Sequence, residues 1–277
     1  MSRQHALFQQ FPLNGKATLA TGQVPTPYHI YDGYGAFIGG TADLAAVQRL
    51  LQSETVTPMQ TVNDRALMGL WLCDFTDASL GPHHELQFSL FVSRGPVTSI
   101  ADHRVSLLTA MLINANLQML CHGLWNNTPP VVAYNRELLS LNARLSTSKI
   151  NRDRHQLSAE VHDQATGAPL LSATLHKPEQ AALGASFALA GQLGFRRAMQ
   201  INRQPWVSMS IVHPVGVVLP RNATAQAMTK NAANNVRYFD PTRDSLSISA
   251  SPYRDLGFQP HVVQHMSGFK FVYLNPM

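Results

Sequence analysis

The residues best suited to chemistry fall within 69–95, GLWLCDFTDASLGPHHELQFSLFVSRG. This stretch reads as strand, polar turn, strand, with one carboxylate, Glu85, at the start of the second strand. Alternation puts Glu85, Gln87 and Ser89 on one face and His84, Leu86, Phe88 and Leu90 on the other. The second face has the apolar character of a core. Two readings stand open for the first. It is a solvent-exposed strand face, or it lines a polar barrel cavity in which an acid holds or protonates a small molecule. His83 and His84 flank the acid, and at most one of them shares its face. His84 reads as packed in the core layer or at a subunit contact, and is also carried as a substrate-binding candidate with Gln87.

A second group, His122, Trp125, Asn126 and Asn127, lies in CHGLWNNTPP. Its amides could hold a carbonyl or simply cap the loop. Other chemistries find less support. Among the 12 histidines, His261 and His265 would converge on a metal only on a helix, and Pro260 with two valines favours a strand or loop that separates them. There is no HExxH, no paired cysteine spacing and no GxSxG, so neither a metal site nor a nucleophile elbow is expected. Gly33, Gly35, Gly39 and Gly40 do not form GxGxxG and no GK[ST] follows. They read as turn and bulge glycines of a β-protein. No cofactor is expected.

The elements that must position these groups are mostly strands. At 277 residues, with 45% apolar and 13% charged residues, the chain can bury a large core in one or two domains. No run of about 18 apolar residues suggests a membrane span, and no secretory signal is visible. Cys73 and Cys121 read as buried free thiols in a reducing compartment, so the expectation is a soluble cytoplasmic protein with no membrane partner. The net charge of +5 is scattered, with no nucleic-acid-binding signature.

Residues 1–26 read as an irregular arm. A glycine-punctuated strand follows, then an amphipathic helix over ADLAAVQRLL with Thr41 and Asp43 as candidate caps. Residues 103–125 are ambiguous between helix and buried strand. Pro129 and Pro130 predict an irregular loop. Residues 136–178 read as a three-strand antiparallel meander with turns at NRDR and DQATGAP. Residues 179–204 read as one or two helices, and further strands are WVSMSIVH, SLSISA and FKFVYLN. The sum is a mainly β, α+β architecture, mostly antiparallel with a few helices.

The order of these motifs resembles the acetoacetate decarboxylase superfamily over most of the chain. The resemblance is carried by the glycine-rich strand, the ADLAAVQRLL helix, Pro58, DFTDASLGPHHE, CHGLWNNTPPVVA and the C-terminal YRDLGFQP…FKFVYLN. Its most specific piece is GPHHE, which looks like the family's Gly-Pro-aromatic-x-Glu turn. The resemblance implies one domain over 1–277, an antiparallel cone-shaped β-barrel with the site in its lumen, and dimer-based homo-oligomers. It also implies a strand to about Asn114 and then a helix, whose end would carry His122 and Trp125.

The departures are as informative. Family decarboxylases form a Schiff base through a lysine of a Pro-Lys-Lys segment, with an amine pKa depressed by its neighbour and by desolvation. Here Pro130 and Val131 stand where those lysines belong, and neither can form an imine. The family's second acid, due near Met68–Leu70, and its arginine, due near Asp32–Tyr34, are not found. Only Glu85 carries over, while Lys149 and Lys270 are remote substitutes for the nucleophile. The function expected is therefore a lysine-independent enzyme of lyase, isomerase or cyclase type, acting on a small carbonyl or enol compound. Glu85 is its general acid/base, and His84, Gln87, His122, Trp125 and Asn126 are candidate substrate contacts. The alternative is a non-catalytic small-molecule-binding or assembly protein on the same fold.

Overall fold

The arm expected over 1–26 is ordered where it is described. Helix α1 (Ala6–Gln10) precedes a hairpin of β1 (Gly15–Leu19) and β2 (Gly22–Thr26). Gly22 turns it at a φ of 115° that disfavours side-chain-bearing residues. Leu7, Phe8, Leu19 and Val24 bury against the main core, and that burial fixes a segment with no strong local pattern. The computed structural model describes residues 4–54, 56–113, 117–139, 141–177, 212–213, 235–268 and 270–273. The helices expected over 179–204, and all but the last two residues of WVSMSIVH, lie outside them.

Strand β3 (Tyr28–Asp43) holds the glycine-rich stretch. At Gly40 an added Cβ would meet the backbone oxygen of Gln259 at 2.0 Å, so close backbone approach explains this glycine. Asp43 caps α2 (Leu44–Leu50), accepting from the Ala46 amide at 2.7 Å. After the short β4 (Thr57–Pro58), strands β5 (Arg65–Ala78) and β6 (His83–Ser93) form the hairpin that carries Glu85.

Residues 103–126 reverse the expected order. Helix α3 (Ser106–Ile113) comes first and strand β7 (Gln118–Asn126) second. Ser106 starts the helix by taking the His103 amide at 2.8 Å, and the apolar run that follows has no period to distinguish helix from strand. Strand β7 is imposed by pairing with β6. The prolines also act differently from expectation. Pro129 and Pro130 occupy the first turn of α4 (Pro129–Glu137), where a missing N–H has no helical partner to lose.

The three antiparallel strands and both turns of the meander are as predicted, with β8 (Ala143–Arg152), β9 (Gln156–Asp163) and β10 (Pro169–His176). Its start is later than expected, because Arg136 and Glu137 still belong to α4. The remaining elements are β11 (Val212–His213), β12 (Asn235–Tyr238), β13 (Ser245–Ile248), a 3-10 turn at Tyr253–Leu256, β14 (Gln259–Ser267) and β15 (Phe271–Tyr273). The main sheet runs β12-β14-β3-β5-β6-β7-β8-β9-β10-β13, with β11 on β7, β15 on β3 and β4 on β6. Among the described residues β7·β8 is its one parallel pairing within named strands. His261 and His265 lie along β14, where a four-residue separation spans roughly 13 Å and cannot converge on one ion.

Both faces of the central strands are buried. One packs against α1, α3 and α4 through Leu7, Leu107, Val131 and Tyr134. The other packs against α2 and the meander through Val47, Leu157, Val161 and Leu171. The ends of the sheet path are tied by a buried ion pair. Arg237 of β12 donates from Nη2 to Asp244 Oδ1 at 2.7 Å and to the His176 carbonyl at 2.7 Å, and the His176 amide reaches Asp244 Oδ1 at 2.9 Å. No described helix is long and apolar enough to cross a membrane.

Candidate functional site

Antiparallel register decides which side chains meet Glu85. It stands opposite Cys73 on β5 and Asn126 on β7, so these three form one row across the sheet. The next row is Trp71, Gln87 and Leu124. A β-bulge then intervenes, because Phe88 pairs with Gly123 while Ser89 pairs with Cys121. His122 is the extra residue, and the bulge reverses the parity of β7. Cys121 and Met119 thereby join the core that contains Cys73, while Leu120 falls in the other core.

The face is not solvent-exposed. Glu85 is 7% accessible, Gln87 3% and Ser89 0%, which removes the exposed-strand reading. The Asn126 side-chain amide donates to Glu85 Oε2 at 3.1 Å, and the Asn135 amide of α4 donates in turn to Asn126 Oδ1 at 2.9 Å. Gln87 donates to Ser89 at 2.6 Å. Burial pushes the Glu85 carboxyl up from its ordinary 4.5 to about 7, against the opposing effect of the Asn126 hydrogen bond. The acid is therefore poised near neutrality.

His83, not His84, shares this face. His83 Nδ1 lies 2.9 Å from the Gly81 carbonyl, which can only accept, and Nε2 lies 2.6 Å from the Tyr28 hydroxyl. The ring is thus Nδ1-protonated and accepts from Tyr28. Burial depresses its pKa to about 4, so it is neutral. Tyr28 packs on Tyr134 and stacks on Tyr273. Burial, with the negative charge of Glu85 adding to it, holds Tyr28, Tyr273, Cys73 and Cys121 in their protonated forms.

Three sequence candidates point away from Glu85. His84 lies among polar groups beyond the opposite face, with Nδ1 2.8 Å from Ser148 Oγ and Nε2 3.8 Å from Asp74. Trp125 pairs opposite Leu86 and packs edge-on to Phe88 and Tyr253, under the Arg144 guanidinium. His122 bonds the Tyr253 hydroxyl at 2.8 Å. On the expected helix, His122 and Asn126 would have shared a face. On the strand the bulge separates them. Asn127 accepts the His84 amide at 2.7 Å, the capping role.

The register therefore gathers Glu85, Gln87 and Asn126 of the expected set, and adds His83, Tyr28, Tyr134, Asn135 and Tyr273. The last four come from other elements, which no spacing around Glu85 could indicate. Reading Pro129 and Pro130 as a helix start would have placed Tyr134 and Asn135 on an ordered element. The exposed Lys16 and Lys149 lie away from this face. Lys177 sits over the Tyr34 ring, and Lys270 donates to the Gly268 carbonyl beside Asp32. Lys230 lies outside the described residues. Among the described residues no three metal-ligating side chains cluster.

No family model matches the chain, and no curated protein matches it in sequence. Solved structures do. An acetoacetate decarboxylase from Legionella pneumophila subsp. pneumophila str. Philadelphia 1 matches with a TM-score of 0.54 at 11% identity, over 98% of this chain and 94% of that one. The enduracididine biosynthesis enzyme MppR, with HEPES buffer bound, matches with a TM-score of 0.50 at 10% identity, over 90% of this chain and 86% of that one. At such identities a likeness speaks for architecture, and the architecture of this chain is that of the acetoacetate decarboxylase-like enzymes.

Proposed function

We propose that the chain is a small-molecule enzyme in which Glu85 is the general acid/base. It acts on a small carbonyl or enol compound in a lyase, isomerase or cyclase type of step that does not pass through an imine. The observation that carries this reading is the state of Glu85. It is a buried carboxyl with one neutral hydrogen-bond partner and a pKa raised to about 7. Such a group exists in both forms near neutrality, the condition for taking a proton from one atom and returning it to another. A raised carboxyl inside a ring of tyrosines, amides and thiols is the kind of perturbed group that marks reactive sites. The fold supports the reading by analogy, since its solved examples named above are enzymes.

The absence of an imine rests on Pro130 and Val131, which begin α4 and cannot form one. Incubation with pyruvate and borohydride therefore leaves the protein mass unchanged. The proton-transfer reading is tested by α-deuteration of small ketones in D2O followed by proton NMR. Exchange accelerated by the wild type and lost in Glu85→Gln supports it, and equal exchange in both proteins sinks it. A second reading, a silent binding member of the fold, is favoured by the Asn135–Asn126–Glu85 chain, which gives the acid a structural partner. That reading predicts ligand binding without exchange.

A further inference from the structure

The hydrogen bonds around Glu85 have a direction. Asn135 donates to Asn126, and Asn126 donates to Glu85 Oε2. Oε2 is therefore always an acceptor, so the proton of the acid form resides on Oε1. Neither a salt bridge nor a second hydrogen bond engages Oε1 among the described residues. The carboxyl thus offers a single O–H donor on Oε1, suited to a carbonyl oxygen.

Among the described residues the surroundings of Glu85 offer a ligand no counter-charge. The titratable groups that feel the Glu85 charge, among the described residues, are Tyr28 from β3, Cys73 from β5, Cys121 from β7 and Tyr273 from β15. His83 of the Glu85 strand is bonded to Tyr28, and Tyr134 of α4 packs on that tyrosine. His83 is locked as a neutral tautomer between the Gly81 carbonyl and the Tyr28 hydroxyl. No lysine or arginine interacts with Glu85 among the described residues. At the far end of the amide chain, Asn135 Oδ1 is buried without a partner, an acceptor that a neutral donor on a ligand would satisfy.

We infer that the Glu85 face selects an uncharged carbonyl compound, whose oxygen accepts from Glu85 Oε1, and discriminates against carboxylate and ammonium compounds of the same size. A carboxylate would be buried beside Glu85 without a counter-ion, the arrangement that low-dielectric surroundings penalise most. Beside the protonated acid an ammonium group would likewise be buried with no counter-ion among the described residues. This rests on Glu85 being the ligand site, but not on its moving a proton.

The test uses the full-length protein and three probes of similar size: hydroxyacetone, pyruvate and aminoacetone, titrated by ligand-observed NMR. At about pH 6, where Glu85 is mostly protonated and can donate, hydroxyacetone is expected to bind at least about tenfold more tightly than pyruvate. The hydroxyacetone affinity should fall about tenfold toward about pH 8 as Glu85 loses that proton, and it should become flat with pH in Glu85→Gln. Should that variant fail to fold, the pH dependence in the wild type decides alone. Pyruvate or aminoacetone binding as tightly as hydroxyacetone at about pH 6 overturns the inference, as does failure of all three to bind or a hydroxyacetone affinity independent of pH. Selective binding without deuteration leaves the inference standing and defeats the proton-transfer reading.

Discussion

Glu85→Gln should stabilise the protein at alkaline pH. The carboxyl titrates at its ordinary 4.5 when the chain is unfolded and at about 7 when folded. Between these values the folded state holds a proton that the unfolded state has lost, so stability falls as pH rises and levels off above about 7. A shift of that size corresponds to about 3 kcal/mol. Glutamine is nearly isosteric with the protonated acid, and its oxygen can still accept from Asn126. The variant should therefore match the wild type near about pH 5 and exceed it by about 2–3 kcal/mol near about pH 8. Other ionisable groups affect both proteins alike and cancel in the difference. The assay is urea unfolding by tryptophan fluorescence at both pH values, with slopes compared to confirm a common unfolded state. A difference that does not change with pH, or a variant less stable at the higher pH, would refute burial as the cause of the raised pKa.

Histidines set the acid limb. His83, His122 and His265 are held near about 4 by burial, so stability should fall as pH drops from about 6.5 to about 4, seen as a lowered melting temperature. Replacing His83 with Gln should flatten part of that fall. Asp244→Asn should destabilise by about 3–5 kcal/mol, because it leaves the 2%-exposed Arg237 without its counter-ion. Urea unfolding measures this, and a loss below about 1 kcal/mol would show that the seam is held by other contacts. Gly40→Ala should lose about 2–3 kcal/mol, since its methyl meets the Gln259 carbonyl at 2.0 Å. An unchanged unfolding midpoint would mean that β14 can move aside.

The meander, the Asp43-capped helix and the Glu85 hairpin were legible because each is specified locally, by alternation, a cap or a turn. The GPHHE turn also located Glu85 on the right element. Segment 103–126 was not legible, because an apolar run buried on all sides carries no period, and only pairing with β6 makes its second half a strand. That error carried His122 and Trp125 into the candidate set.

Sequence alone therefore determined that this protein is mainly β and that Glu85 lies near the start of a strand whose other face is apolar. Tertiary structure alone decided which side chains meet that acid. Side-chain direction along a strand reverses with a single residue. The bulge at His122 and the choice of strand over helix thus reassigned Cys121 and His122 between faces. Tyr28, Tyr273, Tyr134 and Asn135 reach the same face from elements distant in sequence. Burial by those elements, a property that no local pattern encodes, raises the carboxyl to near neutrality.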